Sequence, residues 1–283
     1  MNVKLFVKNN KVLYKIVLMV RYIQYNVVRK VLFEMGVLLR KFGLQRLSIK
    51  DLQDKYKGER CFIIATGPSL RMDDIRALRN EYTFGMNSLA KAFTELGWGP
   101  TFYGIQDNRV YLSMRSDVLK MPDTMLLLGS NLKWYSKLPE KAIVFPLDLL
   151  NHEMHPDDDY NTNFSSDCSE RVYDGYSITY SLIQLAVYFG FSEIYLIGAD
   201  CGYSGNKHHF IEHGVVDPHF SSAQQRQFFS YGVAKKYADE HNIKIFNATR
   251  GGALEIFSRV DFDSIVKNSV KKERNAFDCN KCS

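Results

Sequence analysis

A chain of 283 residues, 46% apolar and 24% charged, has enough apolar surface for a sizeable core, which excludes wholesale disorder. The net charge of +6 is unevenly placed: residues 1–50 hold eleven Lys and Arg against the single acid Glu34, a net +10, so the remainder carries −4. That division excludes a nucleic-acid groove across the body and points to an anionic surface met by one end.

Residues 11–42 contain no Pro and only Gly36, and they read as an amphipathic helix. Leu13, Ile16, Val20, Val27, Val31, Met35 and Leu38 share one broad face. Lys11, Lys15, Arg29, Lys30, Arg40 and Lys41 spread over much of the other, while Leu18, Met19 and Arg21 break the pattern. Tyr14, Tyr22 and Tyr25 suit an interface. In-plane attachment to an anionic membrane is expected, against packing on the body or on another subunit. The stretch is interrupted by Arg21, Arg29 and Lys30 before it reaches the ~20 apolar residues of a span. It also lacks the apolar core and cleavage site of a secretory signal. The expected location is cytoplasmic, peripheral at the inner membrane.

From residue 58 to 265 short apolar runs alternate with helical patterns. "CFIIAT" precedes "MDDIRALRN", and "YTFGMN" precedes "SLAKAFTELG". "TFYGIQD", "TMLLLGS" and "AIVFPLD" follow. "SITYSLIQLAVYFG" then leads into "EIYLIGAD", and "SSAQQRQFFSYGVAKKYADEH" into "IKIFNAT". Continuous apolar strands between helices predict a Rossmann-like parallel α/β sheet with helices on both faces, preceded by the N-terminal helix. Ser177 is placed to cap the helix that Gly190 follows, and Ser222 to Gln225 reads as a capping box. Residues 151–175 are polar and without periodicity, as expected of a lid loop. Residues 266–283 form a polar tail.

The five cysteines (Cys61, Cys168, Cys201, Cys279 and Cys282) suggest no disulfide framework, and Cys279 to Cys282 is a lone CxxC. Chemistry is expected where a parallel sheet binds ligands, beyond the carboxyl ends of its strands. The strand ends turn polar at Thr66, Gly67, Pro68 and Ser69, at Asn87 and Ser88, and at Gln106 and Asp107. They do so again at Ser130 and Asn131, at Asp200 and Tyr203, and at Asn247 and Thr249. Gly67 would let the backbone approach a ligand or take a positive φ, and amides near Ser69 would attract phosphate. Neither GxGxxG nor GxxxxGK[ST] occurs, which disfavours dinucleotide and P-loop readings. A second cluster, "GADCGYSGNKHHFIEHGVVDPHF", holds Lys207, His208, His209, His213, Asp217 and His219. Histidine there can act as a base, and Tyr203 with Lys207 can stabilise a departing phosphate. His209 and His213 stand at i, i+4 but without an HExxH frame, so no metal is expected.

The motifs "ATGPSL", "FGMNS", "MLLLGSN" and "GFSEIYLIGADCGY" resemble the bacterial lipooligosaccharide sialyltransferases that use CMP-activated sugars. They are equally similar to the MptE-like, or DUF115, group of 6-hydroxymethylpterin diphosphokinase-like proteins, which share a final "NAT…GG" segment, here Asn247 to Gly252. The resemblance spans about residues 58–262. It implies that Gly67, Pro68, Ser69, Asn87 and Gln106 line a nucleotide and that Asp200 ends the central strand; Thr66, Asp107, Ser130, Asn131 and Asp200 are nucleotide-binding candidates from their strand-end positions. Ser177 and Thr179 would meet the donor at a helix start, Tyr203 and His208 would sit at the phosphate, and His219 would be the base. Gly175 stands where the sialyltransferases carry an Arg, and Tyr203 is displaced by one residue from their tyrosine. The implied activity is metal-independent, inverting transfer from a nucleotide-sugar to a glycan or glycolipid acceptor. The alternatives are diphosphate transfer from Mg-ATP to a pterin alcohol, with Asp107 and Asp200 as Mg²⁺ ligands, and a non-catalytic nucleotide-binding module.

Overall fold

Strand β1 (Arg60–Ile64) is apolar without alternation because both its faces are covered, and Cys61 to Ile64 have no exposed surface. The computed structural model describes residues 10–23, 27, 31, 35, 38, 48–149, 160–202, 210–211 and 223–267. Helix α1 (Lys11–Ile23) comes first. The body follows as α2 (Met72–Ala77), β2 (Tyr82–Met86), α3 (Leu89–Leu96), β3 (Phe102–Ile105), α4 (Asn108–Lys120), β4 (Met125–Gly129) and β5 (Ile143–Phe145). Next come β6 (Leu147–Asp148), β7 (Val172–Tyr173), α5 (Ile178–Tyr188), β8 (Glu193–Ile197), α6 (Ala223–Glu240), β9 (Lys244–Asn247), β10 (Ser258–Arg259) and α7 (Phe262–Lys267).

Eight strands form one sheet in the order β10-β9-β8-β1-β2-β3-β4-β5, and its pairings are parallel. The Rossmann-like α/β architecture expected from the alternating runs is therefore present. The chain walks outward from β1 to β5 and returns through α5 to β8 on the opposite side of β1. Right-handed crossovers put α2, α3 and α4 on one face and α5 and α6 on the other. The direction reverses between β1 and β8, where an open α/β sheet leaves a crevice.

Four features depart from the sequence reading. The run "AIVFPLD" divides at Pro146, which has no N–H for the ladder. Its first part closes the large sheet as β5, and β6 pairs with β7 in a separate two-stranded sheet. Helix α4 was not among the predicted elements. Asp107 starts it by accepting from the amides of Arg109 (2.7 Å) and Val110 (3.0 Å). The body also begins before residue 58. Ile49, Leu52 and Tyr56 are buried, and Tyr56 stacks on Phe191 with ring centroids 4.9 Å apart. Finally, the stretch expected as one lid loop is tied down from Tyr160 onward. The fully buried Gln184 of α5 accepts from Ser165 N and Tyr173 N (3.1 Å each) and donates to Tyr173 O (2.8 Å).

Ser177 caps α5 by accepting from Thr179 N, and the helix ends just before Gly190, as its sequence suggested. Cys61, Cys168 and Cys201 are free and buried, and burial raises each thiol's pKa, to about 12 for Cys201. Cys279, Cys282 and the Ser222 cap lie outside the described residues.

Candidate functional site

At the crevice the main chains of β1 and β8 continue side by side past their last ladder residues. Ala65 N donates to Ile197 O and Gly67 N to Gly198 O, both at 2.8 Å. Asp200 then turns its carboxylate under the Gly67–Ser69 turn. Ser69 donates its N–H to Oδ1 (3.3 Å) and its hydroxyl to Oδ2 (2.9 Å). A Cβ on Gly67 would stand 1.9 Å from Asp200 Oδ2 and 2.4 Å from Gly198 O, so only glycine admits this approach. Gly67 does not take the positive φ that the sequence allowed. With Leu70 N bonded to Gly67 O, the amides of Gly67, Ser69 and Leu70 are all used internally. The turn therefore does not offer the phosphate-attracting N–H groups expected of it. It presents an acceptor, the Asp200 carboxylate.

Asp200 is held from behind. Ala253 N donates to Asp200 O (2.7 Å), and a Cβ on Gly252, whose φ is +74°, would lie 2.5 Å from that oxygen. Arg259 holds this loop by donating to Gly251 O (2.8 Å) and Gly252 O (3.0 Å). Within the loop Asn247 donates to Leu254 O, and Thr249 Oγ1 accepts from Ala199 N. Burial raises the pKa of the Asp200 carboxyl, opposed by the Ser69 hydrogen bonds and by the Arg259 charge.

At the end of β2, Asn87 sits at φ +50°, and its carbonyl accepts from the Tyr103 hydroxyl. Among the described residues its side-chain amide has no hydrogen-bond partner. The start of α5 reaches the same place, since Thr179 Oγ1 donates to Sδ of Met86 (3.4 Å). Gln106, at the end of β3, is engaged at both ends. It donates to Asp174 Oδ1 and accepts from Ser181 Oγ, both at 2.8 Å. Asn131 donates to Gln106 O (2.8 Å), and Ser130 Oγ accepts from Leu147 N (3.1 Å).

The candidates thus form a rim with three clusters. Thr66, Gly67, Pro68, Ser69 and Asp200 stand at β1 and β8, Asn87, Ser177 and Thr179 at β2, and Gln106, Asp107, Ser130 and Asn131 at β3 and β4. From β8 to β4 is four strand spacings, about 19 Å. Tyr203, His208 and His219 lie outside the described residues, as do Lys207, His209, His213 and Asp217. Phe210, which is described, donates its backbone N–H to Thr66 O at 2.7 Å. Sequence reasoning missed Arg259, Asp174, Ser181 and Gln184. The acid at 174, three residues before the Ser177 cap, was a visible signal. Arg259 offered none, because only the pairing of β10 with β9 brings it to the loop.

The two acids put forward as Mg²⁺ ligands do not fit one ion. Asp107 and Asp200 follow β3 and β8, three strand spacings apart, about 14 Å, whereas two ligands of one Mg²⁺ lie within about 4 Å of each other. Among the described residues no group of three or more His, Cys, Asp or Glu converges.

A family model, 6-hydroxymethylpterin diphosphokinase MptE-like, matches residues 40–206, more than half of the chain. The chain belongs to this family. The match runs from before the buried Ile49 through the Asp200 strand end, so it takes in the whole β1 to β8 part of this MptE-like sheet. No curated protein matches the chain. Among solved structures, the MAf glycosyltransferase from Magnetospirillum magneticum AMB-1 is 14% identical with a TM-score of 0.45, over 81% of this chain and 39% of that one. The MptE-like chain thus spans about two fifths of that glycosyltransferase's length. The sialyltransferase CstII from Campylobacter jejuni, solved with the substrate analogue cytidine-5′-monophosphate, is also 14% identical with a TM-score of 0.45, over 78% of this chain and 92% of that one. At that identity and score the likenesses decide nothing about chemistry.

Proposed function

We propose that this MptE-like chain is a glycosyltransferase that passes a sugar from a nucleotide-activated, CMP-linked donor to a glycan or glycolipid hydroxyl in cell-surface polysaccharide or lipopolysaccharide synthesis. The observation that supports the reading is the Phe210 N–H to Thr66 O bond, which holds the residue after His209 in the sequence at the turn of the sheet's reversal point. A crevice at the reversal point and, in the sequence on either side of Phe210, a run rich in proton-transfer groups support the reading.

The rim suggests how a donor would lie. The Asp200 carboxylate suits the hydroxyls of a ribose, since it accepts and does not donate. The phosphate falls to the Asn87 amide, which has no partner among the described residues, and to the α5 start at Ser177 and Thr179, with Tyr203 and His208 completing its surroundings. His219 takes the proton of the acceptor hydroxyl as its oxygen bonds to the anomeric carbon. The bond from that carbon to the phosphate oxygen breaks with inversion, and its electron pair leaves on the nucleotide. Each of these steps uses side chains alone.

The family description favours one other reading, diphosphate transfer from Mg-ATP to 6-hydroxymethylpterin. Calorimetry with CMP, UDP, GDP and ATP, with and without EDTA, separates the two. CMP binding indifferent to EDTA is expected. A preference for Mg-ATP moves the assignment to diphosphate transfer, and no binding by any nucleotide leaves a non-catalytic module. Full turnover in a His219→Ala variant removes that residue as base.

A further inference from the structure

Most described apolar positions of the N-terminal segment are open to solvent, while Leu13 and Val17 are half-buried. On α1, Val12, Ile16, Val20 and Ile23 are 42–68% exposed. At 100° per residue these four fall within an arc of about 80°, one side of the helix and the kind of stripe that normally faces a core. Val27, Val31, Met35 and Leu38, further along, are 50–55% exposed. The body does not cover this stripe. Among the described residues no helix is long and apolar enough to cross a membrane.

Charge identifies the occupant. Eleven cations and one acid lie in the first fifty residues. A second copy would bring two strongly cationic segments together, and one Glu per chain supplies too few acids for the opposed pairs that fix helix partners. A nucleic acid would meet the cations but leave the apolar stripe wet. An anionic lipid surface satisfies both, with acyl chains under the stripe and headgroups around the lysines and arginines. The remaining chain, at −4, is repelled by the same surface. We infer that α1 (Lys11–Ile23), with its exposed stripe and the cations around it, is an in-plane anchor for an anionic bilayer that holds the acidic body off the lipid.

The test is co-sedimentation of the full-length protein with vesicles of phosphatidylcholine alone and of phosphatidylcholine mixed with phosphatidylglycerol. Binding should require the anionic lipid and weaken as salt rises. Lys11→Gln with Lys15→Gln should weaken it by about fivefold for each charge removed. Ile16→Glu with Val20→Glu should abolish it while leaving the unfolding midpoint and nucleotide binding unchanged, because both side chains are exposed. Equal binding to neutral vesicles, no binding to either, or binding that survives the glutamates overturns the inference. So does sedimentation equilibrium showing a dimer that the same glutamates dissociate, since the stripe then belongs to a second copy. None of these outcomes bears on which nucleotide the rim binds.

Discussion

Ser69 gives both of its donors to one partner, its N–H to Oδ1 and its hydroxyl to Oδ2 of Asp200. Burial raises the pKa of this carboxyl above its ordinary 3.8. An acid whose folded pKa is raised gives its full stabilisation below the unfolded value and loses it as pH climbs through the folded one. Asp200→Asn removes the titration and keeps an acceptor for Ser69 N–H. The unfolding free energy of the wild type minus that of Asp200→Asn should fall as pH rises from 3.8 and flatten above the folded pKa. Urea titrations across that range measure it, and a difference that grows with pH contradicts the assignment.

Gly67→Ala should be harmful out of proportion to its size. The new methyl meets Gly198 O, a main-chain atom, and the Asp200 carboxylate at the same time. Forcing the two strand ends apart should cost about 1–3 kcal/mol. It should also weaken nucleotide binding, read by calorimetry on the folded fraction. An alanine variant with unchanged midpoint and affinity would show that the crevice is looser than described.

Asn87→Gly tests the β2 end without disturbing the backbone. Glycine accepts the φ of +50° and loses only the side-chain amide. Since that amide holds nothing among the described residues, the unfolding free energy should stay within about 0.5 kcal/mol of wild type. Nucleotide affinity should fall about tenfold, the worth of one hydrogen bond to a charged group. A large loss of stability with unchanged affinity reverses the assignment.

Gln184→Leu addresses the segment from Tyr160 to Asp174. It leaves Ser165 N and Tyr173 N without their acceptor and Tyr173 O without its donor. Each buried group left unpaired costs about 1–3 kcal/mol. The variant should unfold at distinctly lower urea concentration, and proteolysis should cut first between residues 160 and 174. Unchanged resistance would mean that other contacts hold the segment.

The strands and the sheet class were legible because a parallel sheet covered on both faces needs uninterrupted apolar runs, as in Phe62 to Ile64. The break at Pro146 was present in the sequence, yet "AIVFPLD" still reads as one run, because apolarity alone does not say where a ladder stops. Helix α4 was hidden by its composition: Arg109, Ser113, Arg115, Ser116 and Asp117 leave a thin apolar stripe. At the rim the residue types were readable but their partners were not. Gln106 and Asp107 looked like ligands, and their residue types did not show that they also hold a buried network and a helix start. Gly67 looked like a flexible turn residue, and its small size is what matters. Contacts between residues far apart in sequence, such as Ser69 with Asp200, leave no local pattern to read.

That separation of 131 residues also bears on how the crevice comes into being. As the polypeptide emerges from synthesis, the first strand can join its second, third and fourth neighbours well before its other flank exists. The crevice has to wait for β8, and its rear support waits longer still, for Gly252 and Arg259. Premature termination after β5 and before β8 would therefore leave β1 to β5, five of the sheet's eight strands, with the β1 edge bare and prone to adding a foreign strand. Nucleotide recognition should consequently be all-or-none with respect to chain completion.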